Sequence, residues 1–494
     1  MQQEENTMTY HPRALGPGVH RSDEPVYTTP KDLVRNVSGL TLDRGTLTVT
    51  DETEARRSMD VLAFNAADFG RGRSASPDVL AISRFMISES GRQLSLLPAS
   101  VFPLYAAMAR QETGRAMTVA AVNIRGDAYN TARALFRSAV THQVGAVILE
   151  LARSEMVYTG QPPAEYAAVM TAAAVREGFT GRLFLQGDHF QINAKRYRAN
   201  PDQELSALKD IMEESVAAGF GQIDIDTSTL ERRGEAGISA EDALRENAEL
   251  AASLTAFVRD VEQREKIPYV ISLGGESGEV GKTNTTVEEY RAFMTLFKEK
   301  LGPLATDRGI SKISVNTGTA HGGVRLPDGT LAKVNIDFDT LRAISREARK
   351  DGLAGAVQHG ASTLPDDVFH RFVEYDTIEV HLATGFQDIT MENMSEDLLE
   401  KLYDWTRTNC ADEKKPDQTE VQFLLACRKK AWGPNKEAVW RMDEGTRRRA
   451  AEALEAKFTF LFQQLNLTDT QNLIRRFVPE PELTFQCPDE AGRL

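Results

Sequence analysis

The chain has 494 residues, of which 41% are apolar and 26% are charged; this fits one large domain with additions or two domains, and it excludes a largely disordered chain. Its 58 basic and 72 acidic side chains give a formal net charge of −14, which argues against nucleic acid as the main partner because an acidic surface repels phosphate. Three widely spaced cysteines and the lack of any apolar run of about 18 residues predict reduced thiols and a soluble, cytoplasmic protein without a membrane partner.

The N-terminal part of the chain divides into two predicted segments. Residues 1–30 are polar, with scattered Gly, Pro, His and Glu, so we expect a flexible tail without the apolar stretch of a signal peptide. Residues 31–114 are an N-terminal extension, in which residues 40–50 alternate as a short hairpin that turns at Asp43-Arg44-Gly45. Residues 100–110 are predicted to be helical, with Ser100 as the cap.

Residues 115–395 alternate between short β-branched, apolar runs and longer segments with helical apolar spacing. Eight such runs separated by helices predict a parallel sheet covered by helices, and eight units in about 270 residues match a (β/α)8 TIM barrel. A doubly wound open sheet is the alternative, but no G-x-G-x-x-G follows the first run. The predicted strands are residues 117–123, 146–150, 183–187, 222–226, 268–273, 312–316, 355–358 and 377–382.

The strand rhythm stops near residue 395, and residues 396–494 are a predicted C-terminal helical extension. Residues 396–409, 418–431 and 446–464 have helical spacing and few β-branched side chains. We expect this extension to pack around the barrel or around a neighbouring subunit. The predicted fold class is therefore α/β, with a barrel catalytic domain at residues 115–395 between an N-terminal extension and a helical C-terminal extension.

Three of the eight histidines directly follow predicted strands: His189 the third, His321 the sixth and His359 the seventh. Because the carboxyl ends of barrel strands surround the active site, these imidazoles are expected to meet near the barrel axis. Three imidazoles with a carboxylate are donors that a catalytic Zn²⁺ or a similar ion prefers. One such histidine alone is better explained as a hydrogen-bonded loop residue, so it is the three equivalent positions that indicate a metal site.

The loops after these strands also indicate an anion site. Gly322 and Gly360 each follow one of the histidines, and a small residue there lets backbone N–H groups approach an anion. Ser362 and Thr384 add hydroxyl donors after the seventh and eighth strands, where barrels commonly bind phosphate. Ordinary turn glycines are the alternative explanation for either loop taken alone.

Four short motifs occur in order at the predicted strand ends. They are Gly-Asp-His at 187–189, Glu-Ser-Gly-Glu-Val-Gly at 276–281, Thr-Gly-Thr-Ala-His-Gly at 317–322 and His-Gly-Ala-Ser-Thr-Leu-Pro-Asp at 359–366. In this arrangement the chain resembles the class II, metal-dependent ketose-bisphosphate aldolases, such as the fructose- and tagatose-bisphosphate aldolases, over about residues 115–395. The resemblance implies a lyase that reversibly cleaves a phosphorylated ketose through a metal-stabilised enediolate. A homo-oligomer is expected.

The resemblance also implies roles for individual residues. His189, His321 and His359 correspond to the family's ligands for Zn²⁺ or another divalent metal, and Glu276 to a carboxylate that approaches the metal when it shifts position. Asp188 corresponds to the catalytic acid/base on the hydroxyl of the cleaved bond. The remaining positions match an aspartate near the metal, Asp226, and residues that bind substrate or its phosphate, namely Asn123, Gly322, Gly360, Ser362, His381 and Thr384.

Two departures from the family pattern leave other functions open. His381 stands where the family has an asparagine, and we interpret it first as a substrate contact, with an extra ligand or a proton carrier as alternatives. The loop at residues 281–284 has no carboxylate, so Glu279 or Glu288 would have to replace the acid that the family often carries there. The alternative functions are a non-catalytic, aldolase-like accessory subunit and a metal-dependent sugar-phosphate isomerase or epimerase.

Overall fold

The computed structural model describes residues 24–70, 74–278, 283–302, 308–318, 326–330 and 334–489. The strands within these residues are β1 (Leu40–Asp43), β2 (Thr46–Val49), β3 (Leu96–Pro98), β4 (Val119–Asn123), β5 (Val147–Ala152), β6 (Gly181–Gln191), β7 (Gln222–Asp226), β8 (Ser272–Ser277), β9 (Lys312–Val315), β10 (Ala356–Gln358) and β11 (Glu379–Leu382).

The α-helices within the same residues cover both extensions and alternate with the strands from β4 onward. They are α1 (Pro30–Arg35), α2 (Glu52–Ala66), α3 (Pro77–Gln93), α4 (Phe102–Ala109), α5 (Ala128–Thr141), α6 (Arg153–Thr159), α7 (Pro163–Arg176), α8 (Ala194–Ala199), α9 (Pro201–Ala217), α10 (Ala240–Arg264), α11 (Val287–Leu301), α12 (Phe338–Lys350), α13 (Phe369–Glu374), α14 (Thr384–Glu392), α15 (Glu396–Asn409), α16 (Glu420–Cys427), α17 (Lys436–Trp440), α18 (Glu444–Gln464) and α19 (Gln471–Phe477).

Strands β4 to β11 form a closed parallel barrel. Each strand pairs in parallel with the next, and β11 pairs with β4 to close the ring. At least one helix lies between each pair of successive strands, and the apolar core occupies the space between the strands and these helices. The closed ring confirms the predicted (β/α)8 TIM barrel and excludes the open doubly wound sheet.

The position of β8 corrects one strand prediction. The apolar run predicts a strand at 268–273, whereas β8 begins at Ser272 and continues through Gly274 and Gly275 to Ser277. A Cβ atom on Gly274 would overlap Asp224 Oδ1 and would lie 3.0 Å from Lys312 Cε. Gly274 therefore leaves room inside the barrel for the Asp224–Lys312 ion pair. This glycine is part of a strand and does not indicate a loop.

The N-terminal extension contains the predicted hairpin, β1 and β2, whose turn residues Arg44 and Gly45 have φ angles of 47° and 81°. The helix predicted at 100–110 is α4, but its N-cap residue is Val101 and not the predicted Ser100, which lies one residue earlier; Ser100 Oγ still accepts a hydrogen bond from the Phe102 N–H at 3.1 Å. Sequence patterns did not indicate helices α2 and α3, which pack against α7 of the barrel. Residues 1–23 of the tail predicted at 1–30 lie outside the described residues. The described end of this segment is bound to α2, because the Asn65 side chain makes hydrogen bonds to the backbone of Pro25 and Tyr27.

The C-terminal extension confirms the three predicted helices as α15, α16 and α18, with a 3₁₀ turn at Arg428–Ala431 after α16. Helix α18 packs against the barrel helices α5 and α14, where Phe458 is fully buried against Phe386. The extension thus covers its own barrel, the first of the two expected arrangements. One continuous apolar core includes residues of both extensions and of the barrel. None of the helices described is long and apolar enough to span a lipid bilayer.

Candidate active site

On four of the eight strands, the interior of the barrel is lined by polar side chains spaced two residues apart. Such spacing places both members of a pair on the same face of a strand. The buried pairs are Gln186 and Asp188 on β6, Asp224 and Asp226 on β7, Lys312 and Ser314 on β9, and Glu379 and His381 on β11. Because a closed barrel excludes bulk water from its centre, each of these groups needs a partner of opposite charge or a hydrogen bond.

Lys312 is the central cation of this interior and is fully buried. Its Nζ lies 3.0 Å from an Asp224 oxygen and 2.8 Å from Gln186 Oε1, and it also contacts Glu379. Burial alone would lower the pKa of Lys312, but the charges of Asp224 and Glu379 outweigh it and raise the pKa. Tyr105 binds the second oxygen of Glu379. The lysine therefore neutralises carboxylates directly below the mouth of the barrel.

His189 lies at a β-bulge in β6, between Gly187 and Phe190, and has a φ angle of 40°. Its Nδ1 is 2.9 Å from Asp226 Oδ2, and Asp226 is itself held by hydrogen bonds from Gln191 and Ser228. Burial alone would lower the pKa of His189, but the carboxylates of Asp188, Glu276 and Asp226 raise it well above its usual range. The bulge and Asp226 together fix the direction of the imidazole.

His359 follows β10 and lies beside His189, with the two ring centroids 4.2 Å apart. Its Nε2 is 3.2 Å from Ser314 Oγ, and its Nδ1 is 3.8 Å from Glu276 Oε1. Two of the three histidines predicted to converge are therefore adjacent. The third, His321, lies outside the described residues, as does Gly322.

His189, Glu276 and His359 can each offer one ligand atom, and these atoms lie within 4.8 Å of one another. Within the described part of the chain, Glu276 Oε2 accepts no hydrogen bond of good geometry, although His189 Nδ1 is 3.1 Å away. Burial and the negative charge of Asp226 raise the pKa of Glu276 to about 8. A buried carboxylate beside two imidazoles is a set of donors that suits a divalent cation of the zinc type.

Asp188 and His381 form a contact beside this group. Asp188 Oδ1 is 3.1 Å from His381 Nδ1, which is also 3.0 Å from Glu150 Oε2, while His381 Nε2 is 2.6 Å from Glu379 Oε1. Burial alone would raise the pKa of Asp188, but the charges of His189 and His381 hold it well below its usual range. Both ring nitrogens of His381 thus face carboxylates, and the ring holds Asp188 in place.

An open cavity of about 900 Å³ lies above these residues at the C-terminal ends of the strands. Asp188, His189, His359 and His381 form its floor. The C-terminal extension forms its roof, through α16 and the following 3₁₀ turn. A cavity of this size, closed on one side and lined by a few convergent polar groups, is suited to a small polar molecule.

Three predicted phosphate-binding residues, Gly360, Ser362 and Thr384, also line this cavity. Gly360 has a φ angle of 69°, a conformation that favours glycine. Thr384 is the first residue of α14, and Ser362 Oγ accepts a hydrogen bond from the Gly385 N–H at 3.1 Å. These groups bring hydroxyls and a helix N-terminus to the same edge of the cavity.

Asn123 does not line this cavity. Its side chain is buried at the end of β4, where Nδ2 donates to Glu155 Oε2 at 2.5 Å and Oδ1 accepts from Arg125 Nε at 3.1 Å. The residue predicted to contact substrate therefore holds Arg125, which does line the cavity. Glu288, a proposed replacement for the missing loop carboxylate, is exposed in the first turn of α11, and Glu279 lies outside the described residues.

The sequence reasoning missed Glu150, Asp224, Lys312 and Glu379, which surround Asp188 and His381. Their runs were interpreted by their apolar residues, which predicted the strands correctly. The usable signal was the spacing of polar residues within these runs, since Asp224 precedes Asp226 by two residues and Glu379 precedes His381 by two. In a strand that is otherwise apolar, such a pair indicates a polar face directed into the barrel.

Comparison with known proteins places this barrel in a family. The family model described as "Fructose-bisphosphate aldolase class-II" matches residues 105–445, which is well over half of the chain. The chain belongs to this family. The match includes the whole barrel and extends through α15, α16 and α17 of the C-terminal extension.

Among curated relatives, the chain is similar to the D-tagatose-1,6-bisphosphate aldolase subunit GatZ of Escherichia coli K12, with 29% identity over 141 residues. That match spans 27% of this chain and only 33% of the relative. Among solved structures, the YdjI aldolase of Escherichia coli K12 aligns with 12% identity, a TM-score of 0.44 and coverage of 76% and 98% of the two chains. Fructose-bisphosphate aldolase from Campylobacter jejuni aligns with 16% identity, a TM-score of 0.46 and coverage of 76% and 96%.

Proposed function

We propose that the protein is a metal-dependent, class II aldolase that reversibly cleaves a phosphorylated ketose. The observation that carries this proposal is the group of His189, Glu276 and His359 at the mouth of the barrel, adjacent to Asp188. Membership of the class II fructose-bisphosphate aldolase family supports the reaction type. Carbon–carbon cleavage next to a ketone needs a cation and a proton carrier close together, and this group supplies residues for both.

His189, Glu276 and His359 would hold the metal, and His321, outside the described residues, is the further ligand that the resemblance to the family implies. Zn²⁺ suits these donors, and another divalent ion with similar preferences would also fit. When bound, the metal supplies Lewis-acid stabilisation of the negative charge that develops on the ketone oxygen. Asp226 restricts the rotation of the His189 ring, because it accepts a hydrogen bond from Nδ1 at 2.9 Å.

Asp188 would take the proton of the hydroxyl group on the bond to be cleaved. The electron pair of that O–H bond then forms the aldehyde carbonyl, and the pair of the broken carbon–carbon bond remains on the ketose half as an enediolate. In the reverse direction Asp188 returns the proton to the new hydroxyl group. The contact with His381 holds the Asp188 carboxylate at the floor of the cavity, so we assign His381 a positioning role.

Gly360, Ser362 and Thr384 would bind the phosphate of the ketose half. The two hydroxyl groups and the N-terminus of the nine-residue helix α14 face the same edge of the cavity. A phosphate bound there fixes the ketose so that its reacting bond lies over the floor residues.

Substitution of His359 and of Asp188 tests the division of roles. His359→Ala should lower bound metal, measured by elemental analysis of the purified protein, and should abolish triose release from ketose bisphosphates. Asp188→Ala should retain the metal and lose at least about 100-fold in rate, the size of a general acid/base contribution. His370→Ala removes an exposed histidine and should change neither quantity. Equal metal loss in the His359 and Asp188 variants would contradict the assigned roles.

A non-catalytic accessory role is the second candidate. The curated relative GatZ is described as a subunit of an aldolase, and residues 281–284 lack the carboxylate that the resemblance leads one to expect. The chain purified alone, supplied with Zn²⁺ and assayed with fructose and tagatose bisphosphates, distinguishes the two functions. Turnover supports the aldolase, whereas stoichiometric metal without turnover supports the accessory subunit.

A further inference from the structure

Two buried side chains make hydrogen bonds to the backbone around Glu276. Asn247 lies on α10 and is fully buried. Its Nδ2 donates to the backbone carbonyl of Glu276 at 2.9 Å and to Glu231 Oε1 at 2.6 Å. The side chain of Glu231 is only 3% exposed and accepts a hydrogen bond from the Gly278 N–H at 3.1 Å. These contacts join α10, the loop after β7 and the end of β8.

The two side chains act where the sheet no longer holds this part of β8. The register between β7 and β8 ends at Gly275, because β7 itself ends at Asp226. The Glu276 carbonyl and the Gly278 N–H lie beyond that point, and buried backbone groups need hydrogen-bond partners. The amide of α10 and the carboxylate of the β7 loop supply these partners in place of a longer β7.

A third buried side chain sets the orientation of the Asn247 amide. The hydroxyl of Thr227, which directly follows β7, donates to Asn247 Oδ1 and to the Asn247 backbone carbonyl. Oδ1 is therefore the acceptor of the amide, and Nδ2 donates to both Glu231 and Glu276. The amide thus has hydrogen bonds at both of its ends.

The opposite edge of β8 is fixed by other contacts. Glu276 pairs with Ser314 of β9, and Thr285 Oγ1 donates to the Ser277 carbonyl at 2.8 Å. With both edges bound, the Cα–Cβ bond of Glu276 has a defined direction, and Glu276 Oε2 lies 3.1 Å from His189 Nδ1. Loss of the contacts on one edge would leave the β9 pairing in place, so it should disturb this carboxylate more than the fold.

We propose that Asn247 and Glu231 are positioning residues for Glu276, and that they hold its backbone so that its carboxylate can reach the proposed metal. The inference rests on the proposed function, because Glu276 is a candidate ligand of that metal. It extends the metal site to a helix that covers the barrel and to the loop after β7.

The dissociation constant for Zn²⁺, measured on the full chain by competition with a chromophoric chelator, tests the inference without substrate. Asn247→Leu removes both donated hydrogen bonds and should weaken zinc binding by about 10- to 100-fold, the usual effect of losing a group that orients a metal ligand. Asn65→Leu is the matched control, because Asn65 is also fully buried and its Nδ2 also donates to two acceptors, both on the backbone. This control should leave zinc affinity unchanged.

Two substitutions of Glu231 keep the test decisive if Asn247→Leu folds poorly. Glu231→Gln retains an oxygen that can accept from the Asn247 amide and the Gly278 N–H, so it should keep most of the zinc affinity. Glu231→Ala removes that acceptor and should weaken zinc binding as Asn247→Leu does. Equal zinc affinities of the two Glu231 variants would contradict the assigned role.

A double-mutant cycle separates positioning from a general loss of stability. If Asn247 acts through Glu276, Asn247→Leu should have little further effect on zinc affinity in a Glu276→Gln background. An effect of the same size in both backgrounds would overturn the inference. If Asn247→Leu and Glu231→Ala bind zinc as tightly as the wild type, the inference fails while the proposed function stands. If the wild type binds no zinc, both fail.

Discussion

At the scale of single residues, the barrel interior contains far more charge than a packed barrel normally holds. Glu150, Asp188, Asp224 and Glu379 are all buried there, and Lys312 contacts two of them. Buried carboxylates repel one another and lack water, so each needs a cation or a donor. Lys312 and His381 supply these partners, since Lys312 contacts Asp224 and Glu379 while His381 contacts Glu150, Asp188 and Glu379.

Replacing Lys312 with Met should therefore destabilise the protein by about 3–5 kcal/mol at neutral pH, because it removes one buried cation and leaves Asp224 and Glu379 with His381 alone. Burial would raise the pKa of Glu379, but Lys312 and His381 hold it far below its usual range. This contribution to stability is present at neutral pH and disappears as the pH falls, when carboxylates become protonated. The difference between variant and wild type should thus shrink toward acidic pH in urea denaturation.

Lys298→Met provides the comparison for that measurement. Lys298 lies on α11 and makes a surface ion pair with Asp351, with half of its side chain exposed. Exposed pairs contribute about 0–1 kcal/mol, so this substitution should have a small effect that varies little with pH. A loss of equal size for both lysines would show that the buried network is not the source of the effect.

At the scale of secondary-structure elements, the roof depends on the packing between the loop after β4 and the C-terminal turn. Gly126→Val should displace Trp432 from α14 and release the Arg428–Ala431 turn, because even the Cβ atom of the new side chain would lie only 2.7 Å from the Trp432 ring. We expect faster proteolysis within residues 411–435 and a shift in tryptophan fluorescence. Gly302→Ala introduces a Cβ atom with no described heavy atom within 4 Å and should change neither.

Element positions show what the sequence could predict and where it failed. Apolar runs located all eight barrel strands, because strands buried on both faces must be apolar. The predicted bounds of β8 were wrong, because two successive glycines, Gly274 and Gly275, are typical of a loop. Only the tertiary structure shows that Gly274 makes room for the Asp224–Lys312 ion pair. The extension helices α2 and α3 have apolar faces matched to α7, and that partner is known only from the tertiary structure.

The residues of the candidate site that directly follow a strand end were predictable from the sequence. His189 and His359 are adjacent, as convergence of the strand ends predicts. The position of Asn123 beneath Arg125 was not predictable, because it depends on the side-chain network with Glu155 rather than on the strand end. The contribution of the C-terminal extension to the cavity wall was not predictable either, since it depends on how this extension folds back over the barrel.

At the scale of the whole molecule, three segments meet at Trp440 of α17. Its buried ring contacts Phe64 and Phe69 of the N-terminal extension at centroid distances of 5.2 and 5.3 Å, and stacks on Tyr129 of α5 at 6.2 Å. The two extensions are therefore joined to each other as well as to the barrel. Loss of this contact should loosen all three segments together.

Trp440→Ala should accordingly destabilise the protein by about 3–5 kcal/mol, the usual cost of removing a large buried aromatic side chain. It should also speed amide hydrogen exchange in α2, which contains Phe64 but lies far from position 440 in sequence. Trp405→Ala, at a partly buried position outside this contact, should cost less than half as much. Unchanged exchange in α2 would contradict a shared core.

The seam that closes the barrel joins residues 119–122 of β4 to residues 379–382 of β11. Roughly 260 residues separate them, so at about 5–20 residues per second a ribosome needs roughly 13 to 52 s to synthesise the second after the first. During that time the nascent chain presents β4 with one edge unpaired, and such an edge is a template for aggregation. Production of this protein in a cell should therefore respond to the supply of chaperones that bind emerging polypeptides.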